Sequence, residues 1–137
     1  MPLALPAEGG CQCGELRYRI TGAPAWLTIC HCLECQRQTG SAFGMSLRVR
    51  REDVEVLKGE LKTWTRPADS GATVVCRFCG TCGNRIWHEP SDPAFLHIKP
   101  GTLDDPSQVA PQYESWTARK AGWVSVEGVE KSFEGQP

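Results

Sequence analysis

The chain has 137 residues, a formal net charge of −1 and eight cysteines. That length suits one domain over 1–137, and the near-neutral balance, with basic residues scattered rather than gathered into a stripe, argues against a nucleic-acid partner. No apolar run reaches membrane-spanning length and Met1 to Gly10 lacks the basic and apolar regions of a secretory signal, so the expected setting is the cytoplasm, where thiols stay reduced, with no membrane partner.

In chain order, the first signal is the pair Cys11-Gln-Cys13. Glu15 to Thr21 then alternates polar and apolar residues, putting Leu16, Tyr18 and Ile20 on one face of a strand. Trp26 to Ile29 predicts a second strand running into Cys30-His-Cys32-Leu-Glu-Cys35. Leu33 to Thr39 predicts two turns of helix, stopped by Gly40. Ala42 to Arg50 alternates again. Val54 to Leu57 and Leu61 to Thr65, across Lys58-Gly-Glu60, predict a hairpin. Thr73 to Phe78 leads into Cys79-Gly-Thr-Cys82 and Asn84 to His88 leads out, a knuckle joining two strands. Phe95 to Lys99 is a further strand ended by Pro100-Gly101, Asp104 to Pro111 reads as loop, and Trp123 to Val126 as a last strand. Short strands at frequent intervals, with ten prolines and fourteen glycines, specify a mainly β domain.

Seven of the eight cysteines fall in the three clusters, and their spacing suits metal better than disulfides. Residues two apart on a strand lie about 6.6 Å apart at Cα, at the limit of disulfide reach, whereas thiolates on a tetrahedral zinc stand about 3.8 Å from one another. Three partitions fit the spacing. Cys11, Cys13, Cys79 and Cys82 form a closed four-thiolate site while Cys30, Cys32 and Cys35 hold a second zinc with one position open; or Cys76 completes that second site; or Cys30, Cys32, Cys35 and Cys76 are core thiols around a single metal. Only an open position admits water or a substrate thiol and lowers its pKa.

Other residues carry weaker signals. His31, between two cysteines of an extended segment, is expected to point away from the metal as a supporting residue. His88 and His97 lie on predicted strands, where one of them near a substrate would shuttle a proton, although satisfied core or surface histidines are the ordinary case. Trp26, Trp64 and Trp123 fall on strand patterns and are expected in the core, leaving Trp87 and Trp116 to wall a pocket. Arg37 and Arg48 flank the second cluster as candidate carboxylate binders, which with Trp87 makes three candidate substrate contacts.

Cys11-Gln-Cys13-Gly14, then Cys30-His-Cys32-x-x-Cys35 followed by Thr39-Gly40-Ser41-Ala42-Phe43, then Phe78-Cys79-x-x-Cys82-Gly83, resemble the glutathione-dependent formaldehyde-activating enzyme family, which also includes centromere protein V. The resemblance runs from about Gly10 to Trp123. It implies an Mss4-like fold of antiparallel sheets and two zinc ions, a structural one on Cys11, Cys13, Cys79 and Cys82 and a catalytic one on Cys30, Cys32 and Cys35. It also implies carbon–sulfur lyase chemistry: a thiol such as glutathione takes the open zinc position and is added to, or released from, a small aldehyde. Cys76 has no place in the seven-cysteine pattern, and Pro111 to Trp116 resembles a family segment that often carries histidine where Glu114 stands. The alternative to catalysis is a zinc module that binds a protein partner.

Overall fold

The computed structural model describes residues 3–68 and 70–137. Its architecture follows from the alternation of apolar residues along short strands: each buries one face, and two sheets close on each other. Strands β1 (Ala7–Gly10), β2 (Arg17–Ile20) and β5 (Val54–Lys58) form a three-stranded antiparallel sheet in the order β1-β2-β5.

The larger sheet takes β3 (Trp26–Cys30), β4 (Gly44–Arg50), β6 (Leu61–Pro67), β7 (Thr73–Cys79), β8 (Arg85–Glu89) and β9 (Phe95–Ile98). With β10 (Tyr113–Ser115) and β11 (Lys131–Ser132) it runs β11-β10-β3-β4-β9-β8-β7-β6. This sheet is mixed: β10 lies parallel to both β3 and β11, a departure from the all-antiparallel expectation. Tyr18 and Ile20 of the first sheet, with Leu16 just before it, meet Leu27, Leu47, Val49, Ile86, Leu96 and Ile98 of the second in one core.

Helix α1 (Leu33–Thr39) has the predicted bounds and ends on Gly40 in the left-handed conformation. The predicted hairpin does not form. Val54 and Val56 pair across to Ile20 and Tyr18 on the free edge of β2, while β6 pairs with β7 in the other sheet. The apolar cross-strand pairs on β2 outweigh a return to the largely exposed β6. Gly59 makes the departure: its φ is +85°, and a Cβ there would stand 2.4 Å from the Glu15 carbonyl oxygen.

Trp123 to Val126, expected as a last strand with Trp123 in the core, is likewise irregular, with Trp123 80% exposed, and the last strand is β11. Among the described residues no helix is long and apolar enough to cross a membrane.

Candidate metal centres and an adjoining cationic cavity

Two turns of similar construction bring the first and third cysteine clusters together. After β1, the Cys11 amide donates to the Leu16 carbonyl (3.1 Å) and the Leu16 amide donates to Cys11 Sγ (3.2 Å). After β7, the Gly83 amide donates to the Cys79 carbonyl (2.8 Å) and the Cys79 amide to the Asn84 carbonyl (3.0 Å). The Gln12 amide donates to Asn84 Oδ1 (2.9 Å), locking one turn to the other. Cys11 and Cys13 sulfurs stand 3.5 Å apart and Cys13 and Cys79 sulfurs 3.7 Å, close to the roughly 3.8 Å that a tetrahedral thiolate site requires. All four sulfurs of Cys11, Cys13, Cys79 and Cys82 lie within 4.8 Å of one another. Although burial raises it, the Cys11 thiol is drawn down to about 6 by the Leu16 amide and the neighbouring thiols.

The second group is built at a strand-to-helix junction. Cys30 closes β3, Cys32 caps α1 with its sulfur accepting from the Cys35 amide (3.3 Å), and Cys35 sits in the first turn. These three sulfurs also lie within 4.8 Å of one another. The helix approaches β4 closely because residue 44 is glycine: a Cβ there would stand 3.0 Å from Cys35 Cβ and 3.2 Å from its sulfur. Contact with Cys32 and Cys35 drives the Cys30 thiol far down, and contact with Cys30 and Cys32 pushes Cys35 up.

Cys76 belongs to neither sulfur group. It is buried in β7, paired across to Trp64 on one side and His88 on the other. Soft sulfur donors converging in fours and threes, with amides aimed at the sulfurs, fit a thiophilic cation such as zinc.

A segment distant in sequence braces the second group. His31 is fully buried, and its Nε2–H donates to Glu114 Oε2 (2.8 Å), the oxygen that also receives Lys120 Nζ (2.9 Å). Burial opposes ionisation of Glu114, but Lys120 and His31 hold its carboxyl below the usual range. The His31 amide donates to the Ser115 carbonyl (3.0 Å), and Gln36 Nε2 donates to the carbonyls of His31 (2.9 Å) and Arg119 (3.1 Å). His31 therefore supports the cysteines from outside, as its position in the sequence suggested. The sequence marks Glu114 only as a place where the resembled family often carries histidine and leaves Lys120 unmarked, because their role depends on the parallel pairing of β10 with β3.

Beside Cys35 opens a cavity of about 280 Å³. Cys35, Cys76 and His88 form part of its wall, with Arg37, Arg66, Arg85 and Lys99 as four cations against one carboxylate, Glu34. Arg66 pairs loosely with Glu34 (3.9 Å), and Arg85 sits 5.6 Å from the ring centroid of Trp64. Burial lowers the Lys99 ammonium. Of the candidate substrate contacts, Arg37 lines this cavity and the other two do not. Trp87 is a core residue, 6% exposed. Arg48 lies over Phe95, 3.8 Å from its centroid, and reaches His97. The tryptophans thus reverse the expectation: Trp64, on an edge strand and 51% exposed, walls the cavity while Trp87 fills the core.

The model of the family described as glutathione-dependent formaldehyde-activating enzyme matches residues 6–119. A Halomonas elongata protein provisionally named a glutathione-dependent formaldehyde-activating enzyme is 24% identical over 145 aligned positions, covering 95% of this chain and 88% of the relative. A crystal structure of a Rhodobacter sphaeroides protein has a similar fold, with a TM-score of 0.58 and 22% identity, over 74% of this chain and 93% of that one.

Proposed function

The chain belongs to the glutathione-dependent formaldehyde-activating enzyme family, and on that premise we propose that it is a cytoplasmic zinc-dependent carbon–sulfur lyase joining a thiol such as glutathione to a small aldehyde, or releasing it. The observation that carries this reading is the cationic cavity set directly against the three-cysteine group. Cys11, Cys13, Cys79 and Cys82 would hold one zinc and Cys30, Cys32 and Cys35 a second. A zinc held by Cys30, Cys32 and Cys35 would supply Lewis acidity that lowers the pKa of a bound thiol toward neutrality.

The remaining work falls to the chain's own side chains. Arg37, Arg66 and Arg85 offer forked donors to the carboxylates of a peptide thiol, and Glu34 faces its ammonium. His31, held by Glu114, fixes the backbone between Cys30 and Cys32 and keeps the three sulfurs converged. The reaction balances without a further reactant. The sulfur pair forms the C–S bond, the carbonyl π pair moves to oxygen, and the proton lost from sulfur ends on that oxygen as a hydroxyl.

Cobalt-substituted protein titrated with glutathione tests this reading, together with turnover of glutathione and formaldehyde by the zinc form. Glutathione should perturb the cobalt spectrum of the three-sulfur site, and the zinc form should accelerate adduct formation. An unchanged spectrum at millimolar thiol with no turnover would overturn the lyase reading in favour of a non-catalytic zinc module.

A further inference from the structure

Behind the cavity wall three side chains form a hydrogen-bonded row. Arg48 Nη1 lies 3.2 Å from His97 Nε2, and His97 Nδ1 lies 3.1 Å from His88 Nε2. A guanidinium can only donate, so His97 Nε2 must accept and the single proton of a neutral His97 sits on Nδ1. That N–H donates to His88 Nε2, which leaves the proton of a neutral His88 on Nδ1. No other pair of neutral tautomers satisfies both contacts.

The surroundings hold both rings toward the neutral form. Burial, reinforced by the charges of Arg48 and Lys99, pushes His97 down to about 4. Burial, with Lys99, His97, Arg66 and Arg85 around it, pushes His88 well below the ordinary histidine range. The row is anchored at its far end, where Arg48 is packed over Phe95 (3.8 Å) and lies 3.7 Å from Asp92 Oδ2.

His88 Nδ1 has no hydrogen-bond partner among the described residues and is not sealed from solvent, and the residue walls the cavity that Cys35 also lines. We propose that His88 is a catalytic hydrogen-bond donor to the reacting oxygen of the substrate, with Arg48 and His97 as positioning residues that lock its Nδ1–H tautomer. This role rests on the lyase reading above. As sulfur adds to the aldehyde carbon and the π pair moves to oxygen, the growing charge on that oxygen is received by the Nδ1–H. The proton released by the thiol completes the hydroxyl, and His88 ends in the state in which it began. With Nε2 occupied by His97, the ring is a fixed donor and not the proton shuttle its strand position suggested. Arg37, Arg66 and Arg85 already supply the charged donors that carboxylates require. A neutral donor in the cavity that Cys35 also lines gains most where charge develops.

Nitrogen-15 NMR of histidine-labelled, zinc-loaded full chain reads the tautomers directly. His88 and His97 should both be neutral and protonated at Nδ1 at pH 7. His97→Leu should give His88 a mixture of tautomers. His97→Asn, whose amide can donate from the Nδ1 position, should retain the single form. In turnover of glutathione with formaldehyde, His88→Phe should lower kcat by about 100-fold, as loss of an oxyanion donor does, with KM for glutathione within about twofold. His88→Asn should recover most of the loss, and unchanged zinc content and circular dichroism would show each variant folded. An Nε2–H tautomer for His88 in an active enzyme, or a loss confined to KM for glutathione, would overturn this role alone. Absence of wild-type turnover would overturn the lyase reading with it.

Discussion

Glu114 shows how much a single buried carboxylate can organise. It is 3% exposed and receives donors from His31 and Lys120 at one oxygen, with Ser132 Oγ 3.4 Å from the other. Removing it leaves His31 buried without a partner and Lys120 without its counter-ion. Glu114→Ala should therefore cost about 3 kcal/mol in urea unfolding of the zinc-loaded protein. Glu114→Gln, whose amide oxygen still accepts from His31, should cost about 1 kcal/mol. Equal stability of the two variants would mean that the acceptor at this position is unimportant. Residue-level reading of the sequence located the seven clustered cysteines because their chemistry is local. It misplaced Trp64 and Trp87 because aromatic residues on strands look alike until sheet edges are known. Trp87 packs between neighbouring strands, whereas Trp64 lies on the terminal strand of its sheet.

At the scale of elements, alternation makes β2 and β4 legible, short apolar runs between turn residues mark the other strands up to Ile98, and the stop at Gly40 marks the end of α1. The two-residue β11 is unmarked in the sequence, and β1 and β10 carry no such pattern either. Strand β1 reads AEGG and β10 has three residues, and each exists because a neighbouring strand offers it an edge. Pairing choice was equally hidden, since β5 and β6 have the local look of a hairpin yet join different sheets. Strand β8 ends on a charged clasp: Glu89 accepts from Arg77 Nε and from Arg51 Nη2, both at 2.6 Å, joining β7 to the turn after β4. Burial raises the Glu89 carboxyl, but the two arginines outweigh it and the net shift is downward from 4.5. The folded protein thus binds this proton more weakly than the unfolded chain. Its contribution is fully present above about pH 4.5 and is lost as pH falls through the lower folded value. Wild type should exceed Glu89→Gln in urea midpoint at pH 7, and the gap should close below pH 4. A gap unchanged across that range would remove Glu89 as an acid-sensitive group.

For the whole molecule, the four-sulfur group joins the turn after β1, in the small sheet, to the turn between β7 and β8 in the large one. If zinc sits there, it links the two layers that enclose the core, and its binding energy, about 10 kcal/mol or more for structural sites, becomes folding energy. Cys79→Ser should then give a largely unfolded chain. Cys32→Ser should keep its circular dichroism and bind one zinc ion where wild type binds two, by elemental analysis. Unfolding of both variants would contradict a division between supporting and working metal. The parallel strand β10 carries a different consequence, for synthesis on the ribosome. The four-sulfur group has all its members once Cys82 has emerged, but Cys30, Cys32 and Cys35 gain the brace of Glu114 and Lys120 only after a further 38 residues. If both groups take zinc, a nascent chain can fill them in sequence, the four-sulfur group closing while the three-sulfur group still lacks the brace that holds it.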